Sequence, residues 1–453
     1  MVGQGRWGPG MLERMSISAR HELMIIYGGV DEPAEEIGRR MRHLLSDLGR
    51  SAGSDCEWWA DVVNAAAEAG TPALLARLNH ADPEVRRAVT RVLEWCWDDA
   101  EQILPALWTW LSFEPDAPAR VGIVLAAARL AAALPRGEDR TASERRLYGY
   151  LDRGADSAAC FAAALGLVEH LLPGSPVPAA VLDALAATLD AGGDAYTALW
   201  GQGWDMPLDA AIHALRDRPE DQVALLLRAA DNLRARKTWV VKAGAVLERS
   251  PDRGRPLVPV LGRLVLDAEP AVRELAARKL SYLGGPVILP AMDMLAAALD
   301  DPVANVREQS AHALARAGDS RCVAPLREML SSYPLPRDVE HLVAGMRAHA
   351  AELLPTVRRR LAAVPPVAVV FLDDRRTRVE GGLRAGEHDL IAGLGTWGNA
   401  AAPVVPELRR LLDLYRAEQA RCADRLTPDY YPLVHGVRVV QSTLDSILGD
   451  QER

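Results

Sequence analysis

The sequence predicts an all-α chain, a right-handed α-solenoid of stacked antiparallel helix pairs, on three observations. Segments of one pattern recur along it. Within them apolar residues return every three or four positions, the period of a helix face. The apolar residues are mostly Ala, Leu and Val, with aromatics only 5% of the chain, and Ala and Leu are strong helix formers.

Three segments match one another: 82–94, DPEVRRAVTRVLE; 267–284, DAEPAVRELAARKLSYLG; and 301–318, DPVANVREQSAHALARAG. Each has an acidic residue and a proline, then Val-Arg, then small and apolar residues. The pairs Val272-Arg273 and Val306-Arg307 stand 34 residues apart, the period of a helix pair. Asp82 and Asp301 are placed to cap a helix by accepting its free N–H groups. Pro83 and Pro302 suit the first turn, where the missing N–H has no partner to lose. Val85, Ala88, Val89 and Val92 form one apolar face. Gly284 and Gly318 stand where a left-handed residue ends a helix. Partner helices are expected at Pro72–Leu78, Leu257–Leu266, Val287–Leu299 and Pro403–Leu412.

These residues resemble the HEAT family, most closely the short bacterial HEAT-like repeats first named for phycobilin lyases. The resemblance implies an armadillo-like solenoid with a concave and a convex wall. No residue here ties it to bilin chemistry. Helical spacing adds Glu35–Leu48, Glu57–Ala69, Glu101–Leu111, Ala119–Leu134, Glu144–Leu151, Ala158–Leu172, Ala179–Leu189, Leu208–Leu215, Glu220–Leu233 and Tyr430–Leu448. The expected organisation is a disordered leader at 1–15, divergent HEAT-like repeats at 16–250, regular repeats at 251–350, and C-terminal repeats at 351–453. Met11 and Met15 are alternative starts. Within the last block, Val364–Asp374 (VPPVAVVFLDD) and the charged stretch to about 385 break the pattern. The β-branched run after two prolines reads as a short strand, an irregular connection or a poor helix.

The net charge of −9 lacks the basic footprint of a general nucleic-acid binder and disfavours an anionic membrane surface. No apolar run reaches 18 residues, so no membrane span is expected. The first residues lack the apolar core of a signal peptide. Five dispersed cysteines without a C-x-x-C read as reduced thiols of a cytoplasmic protein. The Arg and Ala bias suits a GC-rich bacterial source.

No residue pattern carries chemistry, and no catalytic residue, cofactor or metal is expected. Gly393–Gly398 and Gly3–Gly8 each match G-x-G-x-x-G, but neither has the strand-turn-helix setting that a dinucleotide needs. The dispersed histidines, His21-Glu22 and the Glu387-His388-Asp389 run do not supply a metal ligand set. Tryptophans cluster at Trp58-Trp59, Trp95, Trp97, Trp108, Trp110, Trp200, Trp204 and Trp239, with Asp98, Asp99 and Asp205 nearby. They suit core packing, an aromatic binding patch, or the cation-holding surface of HEAT-like DNA glycosylases. Arg358, Arg359, Arg360, Arg375, Arg376 and Arg378 flank the irregular segment and are the candidate partner-binding residues, for an acidic group or a phosphate. Arg86, Arg273 and Arg307 recur with the repeat and are expected to tie neighbouring repeats together. The expected function is a protein-interaction scaffold without catalysis. The alternative is a nucleic-acid-binding or glycosylase-like protein using Trp and Asp on the concave face.

Overall fold

The computed structural model describes residues 71–449, apart from 73, 95, 152–155, 173, 175, 201–206, 233, 284, 337, 373–376 and 425–429, with backbone alone at 84, 85, 88, 92, 98 and 200. The expected leader, the helices at 35–48 and 57–69, Trp58, Trp59, Trp204, Asp205, His21, Gly284, Arg375 and Arg376 lie outside the described residues. The chain forms two compact units, Met1–Val246 and Leu247–Arg453.

In the first unit, the elements are helical residues at 71–72 and 74–77, then α1 (Pro83–Leu93), α2 (Ala100–Leu111), α3 (Ala117–Ala133), α4 (Glu138–Leu151), α5 (Ser157–Gly166), α6 (Ala179–Thr188), α7 (Ala191–Trp200), α8 (Pro207–Ala214), α9 (Pro219–Arg228) and α10 (Arg236–Arg249). The sequence of α3, APARVGIVLAAARLAAA, is apolar nearly all round. Such a helix must be covered on every side, and α1, α2, α5 and α7 all pack on it. Asp116 sets its start by accepting the Ala119 N–H at 2.9 Å. Asp156 does the same for α5 through Ala159, at 3.1 Å. Helix α5 then widens into a π-helical turn at Leu167–Leu171.

The second unit is more regular. It contains α11 (Val258–Leu264), α12 (Pro270–Tyr282), α13 (Met292–Ala297), α14 (Ala304–Arg316), α15 (Val323–Ser331), α16 (Val339–Gly345), α17 (Ala350–Ala362), strands β1 (Ala368–Phe371) and β2 (Thr377–Glu380), α18 (Ala385–Gly395), α19 (Val405–Arg421) and α20 (Tyr431–Gly449). Helices α12, α14, α16, α18 and α20 form one row, each packed on the next. Helices α11, α13, α15, α17 and α19 supply the other layer: α11 packs on α13, α15 on α17 and α17 on α19, and α11, α13, α15 and α19 pack on the first row. Stacking of this kind gives each helix pair the apolar cover that it lacks alone.

Several local expectations are met. Gly318 is left-handed (φ 75°) and ends α14, with its N–H on Ala315 O and that of Asp319 on Leu314 O, both at 3.0 Å. The stretch after Pro365-Pro366 is a strand: β1 pairs antiparallel with β2, Val369 opposite Val379. Its free edge is closed by side chains of α19. Glu418 accepts the Val369 N–H at 2.5 Å and Arg421 donates to the Val369 carbonyl at 2.9 Å.

Other expectations need correction. Helix α14 begins at Ala304 with Val303 as its N-cap, so Asp301 and Pro302 lie outside it. The Asp301 carboxylate instead accepts the Val303 N–H at 2.8 Å. The helix expected at 287–299 is broken into a short turn, a 3₁₀ turn at Leu289–Ala291 and α13, because Pro290 withholds an N–H.

One arginine geometry recurs. The Nη1 of Arg86 donates to the carbonyls of His80 (2.8 Å) and Ala81 (3.0 Å). Arg273 does so to Asp267 (3.0 Å) and Ala268 (3.2 Å), and Arg307 to Asp301 (2.7 Å) and Pro302 (3.1 Å). Each guanidinium thus binds the turn that leads into its own helix. Two also reach forward by 28 residues: Arg86 grips both oxygens of Glu114 at 2.7 Å, and Arg273 those of Asp301 at 2.7 and 3.2 Å. No such carboxylate serves Arg307 among the described residues; the position 28 further on is Leu335. Arg120, 34 residues after Arg86, repeats the geometry with the carbonyls of Glu114 (3.2 Å) and Pro115 (2.8 Å), and pairs with Asp156 at 3.0 Å. Its Ala-Arg-Val order, in place of Val-Arg, conceals it in the sequence.

Breaking a buried ion pair from one side costs about 3–5 kcal/mol, whereas a net hydrogen bond contributes about 1 kcal/mol. Replacement by alanine should therefore destabilise in the order Arg86, Arg273, Arg307, from about 3–5 down to about 1 kcal/mol. Urea unfolding reads this order, and equal losses would contradict it. Burial pushes the Glu114 carboxyl up, but hydrogen bonds from Arg86, the Asp116 N–H and Trp110 outweigh it and hold its pKa below 4.5. The pair's contribution is therefore full above 4.5 and lost as pH falls through the depressed value. The stability gap between the native chain and Glu114→Gln should be widest at neutral pH and shrink on acidification. A gap independent of pH would contradict the assignment.

Candidate functional site

A groove of about 940 Å³ runs over the second unit. Its floor is one face of α14, with Ala304, Arg307, Glu308 and His312 at helical spacing. Tyr282, the last residue of α12, and Asp300 form one side. Glu328 and Met329 of α15, the Ser332–Pro336 turn and Asp338 form the other. The turn is held by Arg360 of α17, which donates to the carbonyls of Leu330 (3.0 Å) and Ser332 (2.6 Å).

Three features set its chemistry. First, two large aromatic rings stand open at the rim, Tyr282 at 55% exposure and Tyr333 at 64%. The Arg384 guanidinium already lies 4.1 Å from the Tyr333 ring centre. Second, four carboxylates, of Asp300, Glu308, Glu328 and Asp338, face one guanidinium, that of Arg307. Third, His312 is buried at 6% exposure, and its Nε2 has no hydrogen-bond partner. The Glu308 carboxylate stands 3.7 Å away. Burial lowers the His312 pKa below 6.5, with Arg316 acting in the same direction and Glu308 and Asp338 opposing. The imidazole is therefore neutral at pH 7. A shallower hollow of about 670 Å³ lies along α20, beside Arg438, Gln441 and Asp445. None of its lining residues is buried.

Four of the arginines singled out in the sequence lie among the described residues, and their settings differ. Arg358 pairs with Glu407 at 2.9 Å. Arg359 is exposed. Arg360 binds the carbonyls at the groove rim and stands 3.4 Å from Glu387. Arg378 pairs with Glu380 along β2. Sequence reasoning missed the groove, because its acids are scattered between 300 and 338. The signal available was the Ser-Tyr-Pro-Leu-Pro run, an apolar and aromatic turn between two helices.

The tryptophans divide. Trp239 and Trp397 are buried core residues whose indole N–H groups donate to Leu226 O (2.6 Å) and Val343 O (2.7 Å). Trp108 is also buried. Trp110 donates to Glu114 at 3.0 Å, and Trp97 is partly exposed. Asp99 accepts the Thr71 hydroxyl at 2.5 Å. Gly393–Gly398 lies at the end of α18 and in the following turn, not between a strand and a helix. A Cβ on Gly393 would stand 2.7 Å from the Glu340 carbonyl, so this glycine allows α18 to approach α16. His388 packs on His435 with ring centres 4.7 Å apart. Among the described residues no group of His, Cys, Asp and Glu could hold a metal ion, and no helix is long and apolar enough to cross a membrane.

The stretch 255–341 matches the family described as HEAT repeats. Residues 255–341 are HEAT repeats. They contain Arg273, Arg307 and every residue lining the groove, so the groove is cut into HEAT repeats. The segment at 82–94 lies outside the match. No curated protein matches the chain in sequence. Solved structures resemble it weakly. Kap121p is 14% identical, with a TM-score of 0.41 over 96% of this chain and 48% of that one. Importin beta is 12% identical, with a TM-score of 0.25 over 95% and 66%. A homology model of the full-length AP-3 complex is 11% identical, with a TM-score of 0.30 over 98% and 91%. The chain spans about half the length of the Kap121p structure.

The burial of His312 gives a direct test. Its imidazole should titrate below 6.5 in a histidine-resolved NMR titration, and its stabilising effect should be present above that pH and lost as pH falls through the lowered value. A midpoint above 6.5 would contradict the buried, neutral assignment.

Proposed function

We propose that the chain is a protein-interaction scaffold that holds an extended segment of a partner protein in the groove over α12, α14 and α15. The observation that carries this reading is the pairing of two exposed tyrosines with a polar recess in HEAT repeats. Aromatic rings that stay open to solvent at the edge of a concavity are the common anchors of protein interfaces. Stacked repeats offer an extended surface of this kind without a catalytic centre. Arg359 and Arg378, with Arg375 and Arg376, are proposed as a second contact, for acidic groups of the same partner. A nucleic-acid role has less support, since four carboxylates and one guanidinium line the recess, and carboxylates repel phosphate.

The test is a photo-crosslinking amino acid placed at Tyr333, with a second variant carrying it at Phe113, an exposed residue of the other unit. A discrete protein adduct from position 333 and none from position 113 is the expected result. No adduct at 333, or the same adducts from both positions, would overturn the reading.

A further inference from the structure

We propose that the chain pairs with a second copy of itself, edge to edge along β2, with Val379 on the two-fold axis. The pairing goes beyond the groove and does not depend on the scaffold reading.

The register of the hairpin leaves this edge open. Both backbone groups of Val369 are bonded to α19, the N–H to Glu418 and the carbonyl to Arg421, so they point away from β2. Neighbouring residues of a strand point their backbone groups to opposite sides. The bonds between the strands therefore fall at Ala368–Glu380 and Val370–Arg378. Val379 and Thr377, opposite Val369 and Phe371, turn their N–H and carbonyl groups outward. Among the described residues nothing bonds those of Val379. A strand edge with open N–H and carbonyl groups is a template for another strand. The chain thus seals one edge of its hairpin with side chains and leaves the other edge open.

The side chains specify the occupant. Arg378 and Glu380 are both exposed and share one face, because side chains alternate along a strand. A strand that pairs antiparallel with β2 about Val379 must set an acid opposite Arg378 and a base opposite Glu380. In its own chain order it then reads base, one residue, acid. That is the order of Arg378-Val379-Glu380 itself. In the two-fold pair the two valines face each other and exchange both backbone bonds. Each Arg378 lies directly opposite the second copy's Glu380, where cross-strand side chains come closest and opposite charges attract. Arg378 already pairs with Glu380 along its own strand, so four charges alternate in sign around the axis. The neighbouring register that keeps the backbone bonds, Thr377 opposite Val379, would set Arg378 against Arg378, a destabilising pair.

The pairing also closes. The two hairpins would form one sheet with a β1 at each outer edge, and α19 bonds the outward groups of Val369 at both. Association therefore stops at two copies. Gly381, left-handed at φ 67°, turns the chain away after Glu380, so the contact is confined to the four residues of β2. It falls well short of the about 1,600 Å² of a stable interface, and the dimer is weak and reversible. In it Arg378 serves the second copy, and Arg359, Arg375 and Arg376 are left to the partner of the groove.

Sedimentation equilibrium of the full chain, from low micromolar to millimolar concentration, tests this. The native chain should pass from monomer to dimer and no further. Arg378→Glu alone and Glu380→Arg alone should each weaken association at least tenfold, because each sets like charges opposite one another. The two variants mixed should associate as the native chain does, since every cross-strand pair is then again of opposite sign. Val379→Pro removes an outward N–H and no internal bond. It should abolish the dimer at an unchanged melting temperature; should it melt early, the charge variants, at exposed positions, decide. A native chain that stays monomeric overturns the proposal. It does so even where a captured partner protein is lost in Val379→Pro, a result that would make a foreign strand the occupant. Association that survives in a folded Val379→Pro, a mixture of the charge variants that stays monomeric, or species larger than a dimer would each overturn it as well. The adduct at position 333 tests the scaffold reading separately, whichever way the dimer is decided.

Discussion

The second unit depends on the way Arg273 and Asp301 hold each other. Arg273 fixes the turn before α12 through two carbonyls and reaches forward to both oxygens of Asp301. Asp301 is itself a junction. Its carboxylate accepts the Val303 N–H, and its carbonyl accepts Arg307. One acidic residue thus joins two helix pairs and orients the start of α14. Burial pushes the Asp301 carboxyl up, but the Arg273 and Val303 hydrogen bonds prevail, and its pKa lies below the ordinary value. The carboxylate is charged wherever the fold needs it.

The groove inherits its shape from this junction. Asp300 and Arg307 flank Asp301 in the chain, and both line the recess. The α14 face that carries Glu308 and His312 is set by where α14 begins. On the other wall, Arg360 fixes the turn that presents Tyr333. Arg307 and Arg360 both donate here to backbone carbonyls. Four carboxylates and the Arg307 guanidinium line the groove, which gives the surface its sign.

Much of the fold was legible in the sequence, and for physical reasons. Val-Arg a few residues after an acidic residue and a proline marks both the neighbourhood of a helix start and the guanidinium that binds the turn before it. Gly318 marked an end, because only glycine adopts a left-handed turn without cost. The break at Val364–Asp374 was visible because β-branched residues after two prolines do not suit a helix. Other features were hidden. Arg120 performs the same task as Arg86 from an altered motif, since the geometry requires the arginine and not its neighbour. Asp301 read as a helix cap, because sequence cannot distinguish a carboxylate serving its own helix from one serving an arginine 28 residues earlier. The groove was illegible because residues from 282 to 338 meet only once α12, α14 and α15 are stacked. The arginines at 358, 360 and 378 looked free in the sequence, yet each has an acidic neighbour in space.

The central claim is that the Arg273–Asp301 contact couples adjacent repeats instead of contributing two separate local bonds. A double-mutant cycle of Arg273→Ala and Asp301→Ala, read by urea unfolding, isolates that coupling. Residues sharing a buried ion pair show interaction energies within about 0.5–3 kcal/mol, and the account predicts a value of about 2 kcal/mol, toward the upper part of that range. Additive losses, with coupling below about 0.5 kcal/mol, would contradict it.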